Sequence, residues 1–162
     1  MTDILAQGAL DQEEDTMKGK YLTFSLGKEE YGIEIKHVTE IVGLEKITEV
    51  PELPAYVKGI INLRGEIIPV IDVRLRFKKE AKEYNDRTCT IVIEVKDVSV
   101  GLIVDTVSEV LSIDDEDIVP PPKLSSSYHQ NYIKGIGKAD DNVKLLLDCE
   151  KLLSEDELED FG

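Results

Sequence analysis

The stretch KGIINLRGEIIPVID, residues 58–72, indicates the fold most directly. It has two runs rich in Ile and Val on either side of NLRG, in which Gly65 can adopt a positive φ at little steric cost. This pattern predicts a tight hairpin between the strands Val57–Leu63 and Glu66–Asp72. Pro69 cannot donate a hydrogen bond within a sheet, so it predicts an edge or a bulge in the second strand.

Arg64 occupies the turn of this hairpin and is the first candidate for contact with a partner. A side chain held on a rigid turn loses less entropy on pairing than one on a loose loop, and the planar guanidinium can bind a carboxylate through two hydrogen bonds. On residue type alone three interpretations remain open: a carboxylate of a partner, a local pair with Glu40 or Glu66, or an ordinary exposed arginine.

Alternation of apolar and polar residues with a period of two extends outward from the hairpin in both directions. It predicts further strands at Leu22–Leu26, Tyr31–Ile35, Thr88–Val95, Ser99–Val104, Ile133–Lys138 and Val143–Asp148. Short helices are predicted at His37–Val42, Val73–Phe77 and Cys149–Leu153. The chain is therefore predicted to be mainly β.

The sequence also contains an internal duplication. A shift of 69 residues aligns 21–42 with 90–111 without a gap, and Gly32 then meets Gly101. After a slip of seven residues the shift becomes 76, and KGI at 58–60 falls on KGI at 134–136. The extra residues lie in the loop-like stretch Ile113–Ser127. The shared order, shifts and glycine positions favour two related halves.

The halves are predicted at about 20–80 and about 86–150, joined by the charged stretch 78–87. Each half is expected to form a small, closed or nearly closed antiparallel sheet of about five strands. Several strands have apolar residues on both faces, and a small barrel can bury only one of them inside. The remaining apolar residues are expected in a core shared between the halves or in a groove that binds a partner. A shared core and a groove can both occur along the seam between the halves.

The halves differ on the face expected to point away from each half's own core. Val92 and Ile103 of the second half stand where the first half has Thr23 and Glu34. In the first half, both faces of the two hairpin strands carry apolar residues, namely Ile60, Ile61, Ile67, Ile68, Val70 and Ile71.

Composition restricts the function further. The 162 residues include 34 acidic and 19 basic side chains, and the formal net charge is −15, so nucleic acid is not expected as a partner. The acidic stretches 1–18 and 154–162 are predicted to be solvated tails, the first of them disordered. No signal peptide or long apolar run is found, so the protein is expected in the cytoplasm without membrane insertion. Cys89 and Cys149 are interpreted as reduced, mostly buried thiols.

No arrangement of residues in the sequence is typical of an active site or a metal site. His37 and His129 are isolated, and neither has another histidine or cysteine at ligand spacing. Ser125–Ser127 lacks the surroundings of a nucleophile and is interpreted as a solvated loop. The acidic run 114–117 lacks the pattern of a calcium loop and is interpreted as the start of a helix. No catalytic residue, metal or cofactor is therefore expected.

The chain resembles the CheW family, the coupling proteins of bacterial chemotaxis, from about Tyr21 to about Leu153. Its most specific motif is KGxxNLRGxxxPVxDxR, which begins at Lys58. The resemblance rests on EEYGIEI (29–35), VTEIV (38–42), PAYVKGIINLRGEIIPVIDVRLRF (54–77), VGLIVDTVSEVL (100–111), YIKGIGK (132–138) and LLLDCEKLL (145–153). The histidine kinase CheA and CheV share this domain but have further domains, for which the chain has no room. A stand-alone CheW-like domain is therefore expected at 19–153.

The resemblance implies two SH3-like five-stranded β-barrels around a shared hydrophobic seam, with short helices, no catalytic activity and no cofactor. Members of the family bridge the cytoplasmic tips of chemoreceptors to CheA, so that receptor signalling controls autophosphorylation of the kinase. The protein is then expected to be recruited to receptor arrays at the membrane. The alternatives are an adaptor in a receptor-kinase pathway that does not serve motility and a small enzyme of unknown chemistry.

The resemblance also implies functions for individual positions. The residues expected to bind the receptor or CheA are Val38, Glu40, Gly43, Gly59, Arg64 and Val110. Asn62 and Gly65 are expected to be structural residues of the turn. His37 and Ile61 depart from the family pattern.

Overall fold

The structure, a computed structural model, describes residues 18–121, 132–139 and 141–153. The strands are β1 (Lys20–Leu26), β2 (Glu29–Glu34), β3 (Val38–Gly43), β4 (Val57–Leu63), β5 (Glu66–Asp72), β6 (Cys89–Val95), β7 (Val98–Val104), β8 (Thr106–Ser112), β9 (Ile118–Val119), β10 (Ile133–Ala139) and β11 (Asn142–Leu147). The helices are α1 (Val73–Arg76) and α2 (Cys149–Leu152), with 3₁₀ turns at Ile35–His37 and Asp115–Asp117. Apart from Lys18, the predicted acidic tails lie outside the described residues, as do Ser125–Ser127 and His129.

The strands form two sheets, named here after a central strand of each. The β1 sheet has the order β8-β1-β2-β11-β10-β9, and the β6 sheet has the order β3-β6-β7-β5-β4. Each sheet contains one parallel pair, β2 with β11 and β5 with β7. The prediction that each half forms its own antiparallel sheet is therefore wrong. The chain crosses between the sheets after β2 and after β7, where no glycine or proline reverses it, so each sheet takes strands from both halves.

The duplication is evident in the elements themselves. A shift of 69 residues converts the bounds of β1 into those of β6, and a shift of 76 converts β4 into β10 and α1 into α2. The registers agree as well, because Thr23 lies opposite Gly32 in one sheet and Val92 opposite Gly101 in the other. The expected fold class, mainly β with two related subdomains and short helices, is confirmed, but the β1 sheet has six strands where five were expected.

The helix predicted at His37–Val42 is wrong, because these residues lie mainly in β3. Val38, Ile41 and Val42 have helical spacing only because a bulge between Val38 and Glu40 interrupts the alternation of the strand. The same bulge occurs in β8, which the sequence did not predict. The β-branched residues of both strands favour pairing over a helix.

The other two helices are confirmed, and each is preceded by an aspartate that caps it. Asp72 accepts a hydrogen bond from the Arg74 amide at 2.9 Å, and Asp148 accepts one from the Lys151 amide at 3.2 Å. Pro69 predicts an edge or a bulge in β5, but β5 lies between β4 and β7 and so is not an edge. The bulge in the pairing of β4 with β5 lies in β4, between Val57 and Gly59. Pairing with β7 begins one residue later, so Pro69 is placed where its missing N–H is tolerated.

The main core lies between the two sheets and takes side chains from both, as the shared-seam interpretation expects. Its members include Leu22, Phe24, Tyr31 and Ile33 of the β1 sheet and Val57, Ile71, Ile91, Ile93 and Leu102 of the β6 sheet. The aromatic rings of Phe24, Tyr31, Phe77 and Tyr132 follow one another with centroids 5.5 to 5.6 Å apart. This continuous apolar layer holds the sheets together.

A buried arginine closes the end of the aromatic layer. The guanidinium of Arg76 lies between the rings of Tyr56 and Tyr132, at 4.4 and 4.7 Å from their centroids, and donates to the carbonyl oxygen of Leu152. The shift of 76 residues relates the two tyrosines and also relates Arg76 to Leu152. The contact of Arg76 therefore joins equivalent positions of the two halves.

Both cysteines are free, Cys149 buried and Cys89 half-buried. Burial raises the pKa of the Cys149 thiol to about 12, so the thiol stays protonated and unreactive near neutral pH. No helix within the described ranges has the length and apolar composition that crossing a bilayer requires.

Candidate interaction site

The hairpin turn that presents Arg64 is built by two residues with positive φ. Arg64 has a φ of 53° and Gly65 a φ of 87°, the combination that a two-residue hairpin of the favoured twist requires. The Asn62 side chain accepts a hydrogen bond from the Gly65 amide at 2.8 Å and so fixes the turn from within. Arg64 projects from this support into solvent.

Arg64 pairs with Glu40, which lies 24 residues earlier in the chain. Nη2 of Arg64 donates a hydrogen bond to Oε1 of Glu40. Glu40 lies in β3, so the pair is on the surface of the β6 sheet. The hydrogen bond and positive charge of Arg64 hold the pKa of the Glu40 carboxyl below its usual value. Of the three interpretations open from sequence, the local pair with Glu40 is the one found in the isolated chain.

Gly59 is buried and lies where two backbone segments meet. Its φ is 145°, and a Cβ atom built on it would lie 2.1 Å from the carbonyl oxygen of Thr48. Thr48 and Ile60 exchange hydrogen bonds of 2.8 and 2.9 Å at this point, which ties the preceding segment to β4. Gly59 thus shapes the sheet behind Arg64 without presenting a surface of its own.

Gly43 differs from Gly59, because it is exposed at the end of β3. No atom outside its own neighbourhood lies within 4 Å of the place where a Cβ would stand. The backbone here leaves an open surface next to the strand that contains Glu40.

Val38 and Val110 lie on different edge strands. Val38 is half-buried in β3 and packs against the seam, whereas Val110 in β8 is 50% exposed. Val110 lies opposite Leu22, a seam residue, and directly opposed residues point to the same face of a sheet. Val110 therefore lies on the face of the β1 sheet that points to the seam, but at a place that the other sheet does not cover.

Ile41 is the equivalent of Val110 in the other half. It lies opposite the seam residue Ile91 and is 43% exposed. Each edge strand therefore extends the inter-sheet face with an aliphatic side chain that the fold leaves in water. The structure brings Glu40 and Arg64 together on the β6 sheet and places Val110 on the β1 sheet.

Sequence reasoning named Val110 but missed the other large exposed aliphatic residues among those that the structure describes. Large exposed aliphatic side chains of the described residues are Ile41, Leu44, Ile67, Val110 and Val143. The duplication was the available signal, since the shifts of 69 and 76 relate Ile41 to Val110 and Ile67 to Val143. Apolar residues that recur at equivalent positions of the two halves are candidates for an exposed binding surface.

The described part of the chain holds no group of three or more His, Cys, Asp or Glu side chains arranged for a metal ion. Within that same part, no buried side-chain nitrogen or oxygen lacks a hydrogen-bond partner. His37 is partly buried at the 3₁₀ turn, and this burial lowers the pKa of its imidazole. The arrangement is one of exposed pairs and apolar edges, which suits contact with other proteins.

A family model for the CheW-like domain matches residues 20–157. The chain belongs to the CheW family. Among relatives, the chemotaxis protein CheW of Klebsiella aerogenes is 40% identical over 144 residues, which cover 89% of this chain and 87% of the relative. The chemotaxis protein CheW of Helicobacter pylori is 36% identical over 93% of this chain and 91% of its own length.

A solved CheW structure supports the same assignment. The crystal structure of the scaffolding protein TtCheW from Thermoanaerobacter tengcongensis matches with a TM-score of 0.79 and 38% identity. The match covers 86% of this chain and 94% of that one. The expectation of a CheW fold with two SH3-like subdomains is thereby confirmed.

Proposed function

We propose that this CheW-family chain is an adaptor that couples methyl-accepting chemoreceptors to the histidine kinase CheA, so that receptor signals control kinase autophosphorylation. The observation that carries the proposal is the exposed Glu40–Arg64 pair, held on a rigid turn beside the exposed Ile41. The protein acts in the cytoplasm, is recruited to receptor arrays, and performs no catalysis itself.

The apolar edges suit a helical partner. Ile41 and Val110 each extend the inter-sheet face, and an amphipathic helix binds best where an aliphatic surface is bordered by charges. The receptor tips expected from the family resemblance are helical hairpins. Val38 supports this surface from beneath, since it packs on the seam.

Coupling requires that both partners bind at once. If receptor and kinase competed for one patch, each would displace the other and no ternary complex would form. The doubled fold offers two surfaces, because Glu40, Gly43 and Arg64 lie on the β6 sheet and Val110 lies on the β1 sheet. We assign one partner to each surface and leave the order to experiment. Gly59 then acts through the shape of the β6 sheet.

Charge reversal at Arg64 tests the proposal. The assay is receptor control of CheA autophosphorylation in a mixture of receptor fragment, CheA and the adaptor. Arg64→Glu is expected to impair control while changing the free energy of unfolding by only about 0.5 kcal/mol, because the site is exposed. Normal control by the variant, or loss of control only because the variant unfolds, would refute the role of Arg64.

Lys96→Glu is the matched control for this experiment. Lys96 is an exposed cation in the β6–β7 turn and has a φ of 51°, close to that of Arg64. The control reverses the same charge in the same backbone conformation outside the proposed surface. It is expected to leave receptor control of CheA unchanged.

Separate affinities test the two surfaces. Folded variants at Val38, Glu40, Gly59, Arg64 and Val110 are measured against receptor fragment and against CheA. We expect variants of the β6 sheet and of Val110 to weaken different partners. If every folded variant lost both partners in equal proportion, or if saturating receptor fragment expelled CheA, the two-surface mechanism would be wrong.

A further inference from the structure

The two links that take the chain from one sheet to the other differ in their chemistry. The first, Ile35–His37, runs from β2 to β3, and the second is the single residue Asp105 between β7 and β8. The shift of 69 residues places Asp105 at the position of Lys36. The duplicated halves therefore have opposite charges at equivalent crossings.

Asp105 is bound from several sides. Its carboxylate accepts hydrogen bonds from Nε and Nη2 of Arg74 at 2.7 and 2.5 Å and from the Gly27 amide at 2.8 Å, and Lys82 Nζ lies 3.7 Å away. Arg74 lies in α1, directly after β5 of the β6 sheet, and Gly27 lies in the turn between β1 and β2. Asp105, Arg74 and the Gly27 amide, called the clamp below, join both sheets to the start of β8.

The clamp is shielded from water. The side chains of Arg74 and Asp105 are 16% and 11% exposed, so solvent and salt screen the pair only weakly. Two parallel hydrogen bonds to one carboxylate also fix its orientation. The start of β8 is thus held in one place relative to both sheets.

The equivalent group at the first link is open to water. The shifts of 69 and 76 residues give Lys36, Lys96 and Glu150 as the counterparts of Asp105, Gly27 and Arg74. Lys36 Nζ lies 3.1 Å from its neighbour Glu34 and is 61% exposed; Lys96 Nζ lies 3.8 Å from Glu150 and is 77% exposed. Pairs of this kind add little rigidity.

We infer that Asp105 is a positioning residue, which through the clamp fixes the start of β8 and hence the place of Val110. At the first link the residues equivalent to the clamp form only exposed pairs. Among the described strands β8 pairs only with β1, so its outer edge has no second support. Val110 lies in β8, which begins at the residue after Asp105. The inference rests on the proposed function, in which β3 and β8 bear the partner-binding residues.

Backbone hydrogen exchange in the full chain tests the mechanical part. Asp105→Asn keeps the shape of the side chain and an acceptor for Gly27 but removes the charge that binds Arg74. The amides of Thr106–Val110 are expected to exchange at least about tenfold faster, while those of the central strand β6 keep their protection. Equal acceleration in both strands, or none in β8, would overturn the inference.

Two further variants keep this result interpretable. Arg74→Gln combined with Asp105→Asn leaves no unpaired buried charge, so it is expected to fold even if the single variant does not. Its β8 amides are still expected to exchange faster than those of the unmodified chain, and wild-type protection would overturn the inference. Lys36→Gln is the matched control and is expected to leave exchange in β3 within about twofold of its original rate.

Binding measurements connect the clamp to the surface. Asp105→Asn is expected to weaken, by about threefold or more, the same partner that Val110→Ala weakens, because both act on β8. If Val110→Ala binds weakly and Asp105→Asn binds normally, the inference fails and the proposed function stands. If Val110→Ala and Arg64→Glu both bind normally, the proposed surface is wrong and the inference is overturned with it.

Discussion

The two sheets have related strand arrangements but different types of residue on the face turned away from the seam. In the β6 sheet this face is aliphatic, formed by Ile61, Leu63, Ile68, Val70, Val92 and Ile103. The equivalent residues of the β1 sheet are Gly137, Ala139, Lys144, Leu146, Thr23 and Glu34. The seam face, by contrast, is apolar in both. The two sheets are thus alike on the seam face that they share and differ on the face that each has to itself.

The polar residues of the β1 sheet have structural partners. Thr23 donates its hydroxyl to the Glu109 carbonyl oxygen at 2.8 Å and accepts from the Glu109 amide at 3.1 Å, across the bulge of β8. Lys144 is buried and pairs with Glu30. Polar groups that are satisfied in this way replace some of the apolar packing of the β6 sheet.

The largest effect is expected at Gly59 and Gly135, the glycines of the two KGI repeats. Gly59→Ala forces a Cβ to within 2.1 Å of a backbone oxygen at a φ of 145°, so it should destabilise the fold by more than about 3 kcal/mol or prevent folding. Gly135→Ala meets the Ile118 side chain at 2.9 Å, which can shift, so a loss of about 1–2 kcal/mol is expected.

Urea unfolding of both glycine variants, with Gly43→Ala as a control in open space, measures the difference. Gly43→Ala is expected to change the free energy of unfolding by no more than about 0.5 kcal/mol. A Gly59→Ala protein as stable as the control would show that the backbone approach at Thr48 does not constrain the β6 sheet.

The next effect compares Ile68 with its equivalent, Lys144. Ile68→Ala removes an aliphatic side chain that is 2% exposed and is expected to cost about 2–4 kcal/mol. Lys144→Ala is expected to cost about half as much or less, because Glu30 is partly exposed and can turn to water. Equal losses in thermal and urea unfolding would mean that the two faces turned away from the seam contribute alike to stability, against the comparison made above.

A smaller effect is expected from Thr23→Val, which makes the β1 sheet resemble the β6 sheet. The loss of the hydroxyl leaves the Glu109 backbone without its partner and is expected to cost about 1–2 kcal/mol. Thr23→Ser keeps the hydroxyl and serves as the control. Hydrogen exchange at the Glu109 amide should rise in the valine variant alone, and a rise in both would implicate the methyl group instead.

The smallest effect concerns titration at the exposed pair of the β6 sheet. Arg64 lowers the pKa of Glu40 in the folded protein. The stability that the pair contributes is therefore present above the pKa that Glu40 has in the unfolded chain, and it is lost as the pH falls through the pKa in the folded chain. Arg64→Gln is expected to raise the Glu40 pKa toward its ordinary value, as followed by NMR of the side-chain carboxyl. An unchanged pKa would show that the pair does not persist in solution.

The sequence predicted the local structure of the hairpin at 57–72 to the residue, and it placed both helices after their capping aspartates. The sequence did not predict the strands β3 and β8, and the reason is the same in both: a bulge interrupts the alternation of apolar and polar residues. In each strand the apolar residues then fall at intervals of three and four, as in Val107, Val110 and Leu111, and imitate a helix.

The arrangement of strands was beyond a reading of local pattern. Strands with two apolar faces fit either sheet, so periodicity does not reveal where the chain crosses over. The Glu40–Arg64 pair was foreseen only as one of three interpretations, because its members lie 24 residues apart, in β3 and in the β4–β5 turn, and meet only in the folded chain. The clamp at Asp105 likewise joins residues 31 positions apart and has no local signature.

The exchange of strands between the halves has a consequence for how the protein is made. When β1 and β2 leave the ribosome, the neighbours that complete their sheet, β8 and β11, have not been synthesised. At about 5–20 residues per second the first strands wait for several seconds with their apolar faces uncovered. Neither half alone contains all the strands of either sheet, and a chain that stops before β11 leaves the β1 sheet unfinished. Synthesis must therefore have passed β11 before the β1 sheet can be completed.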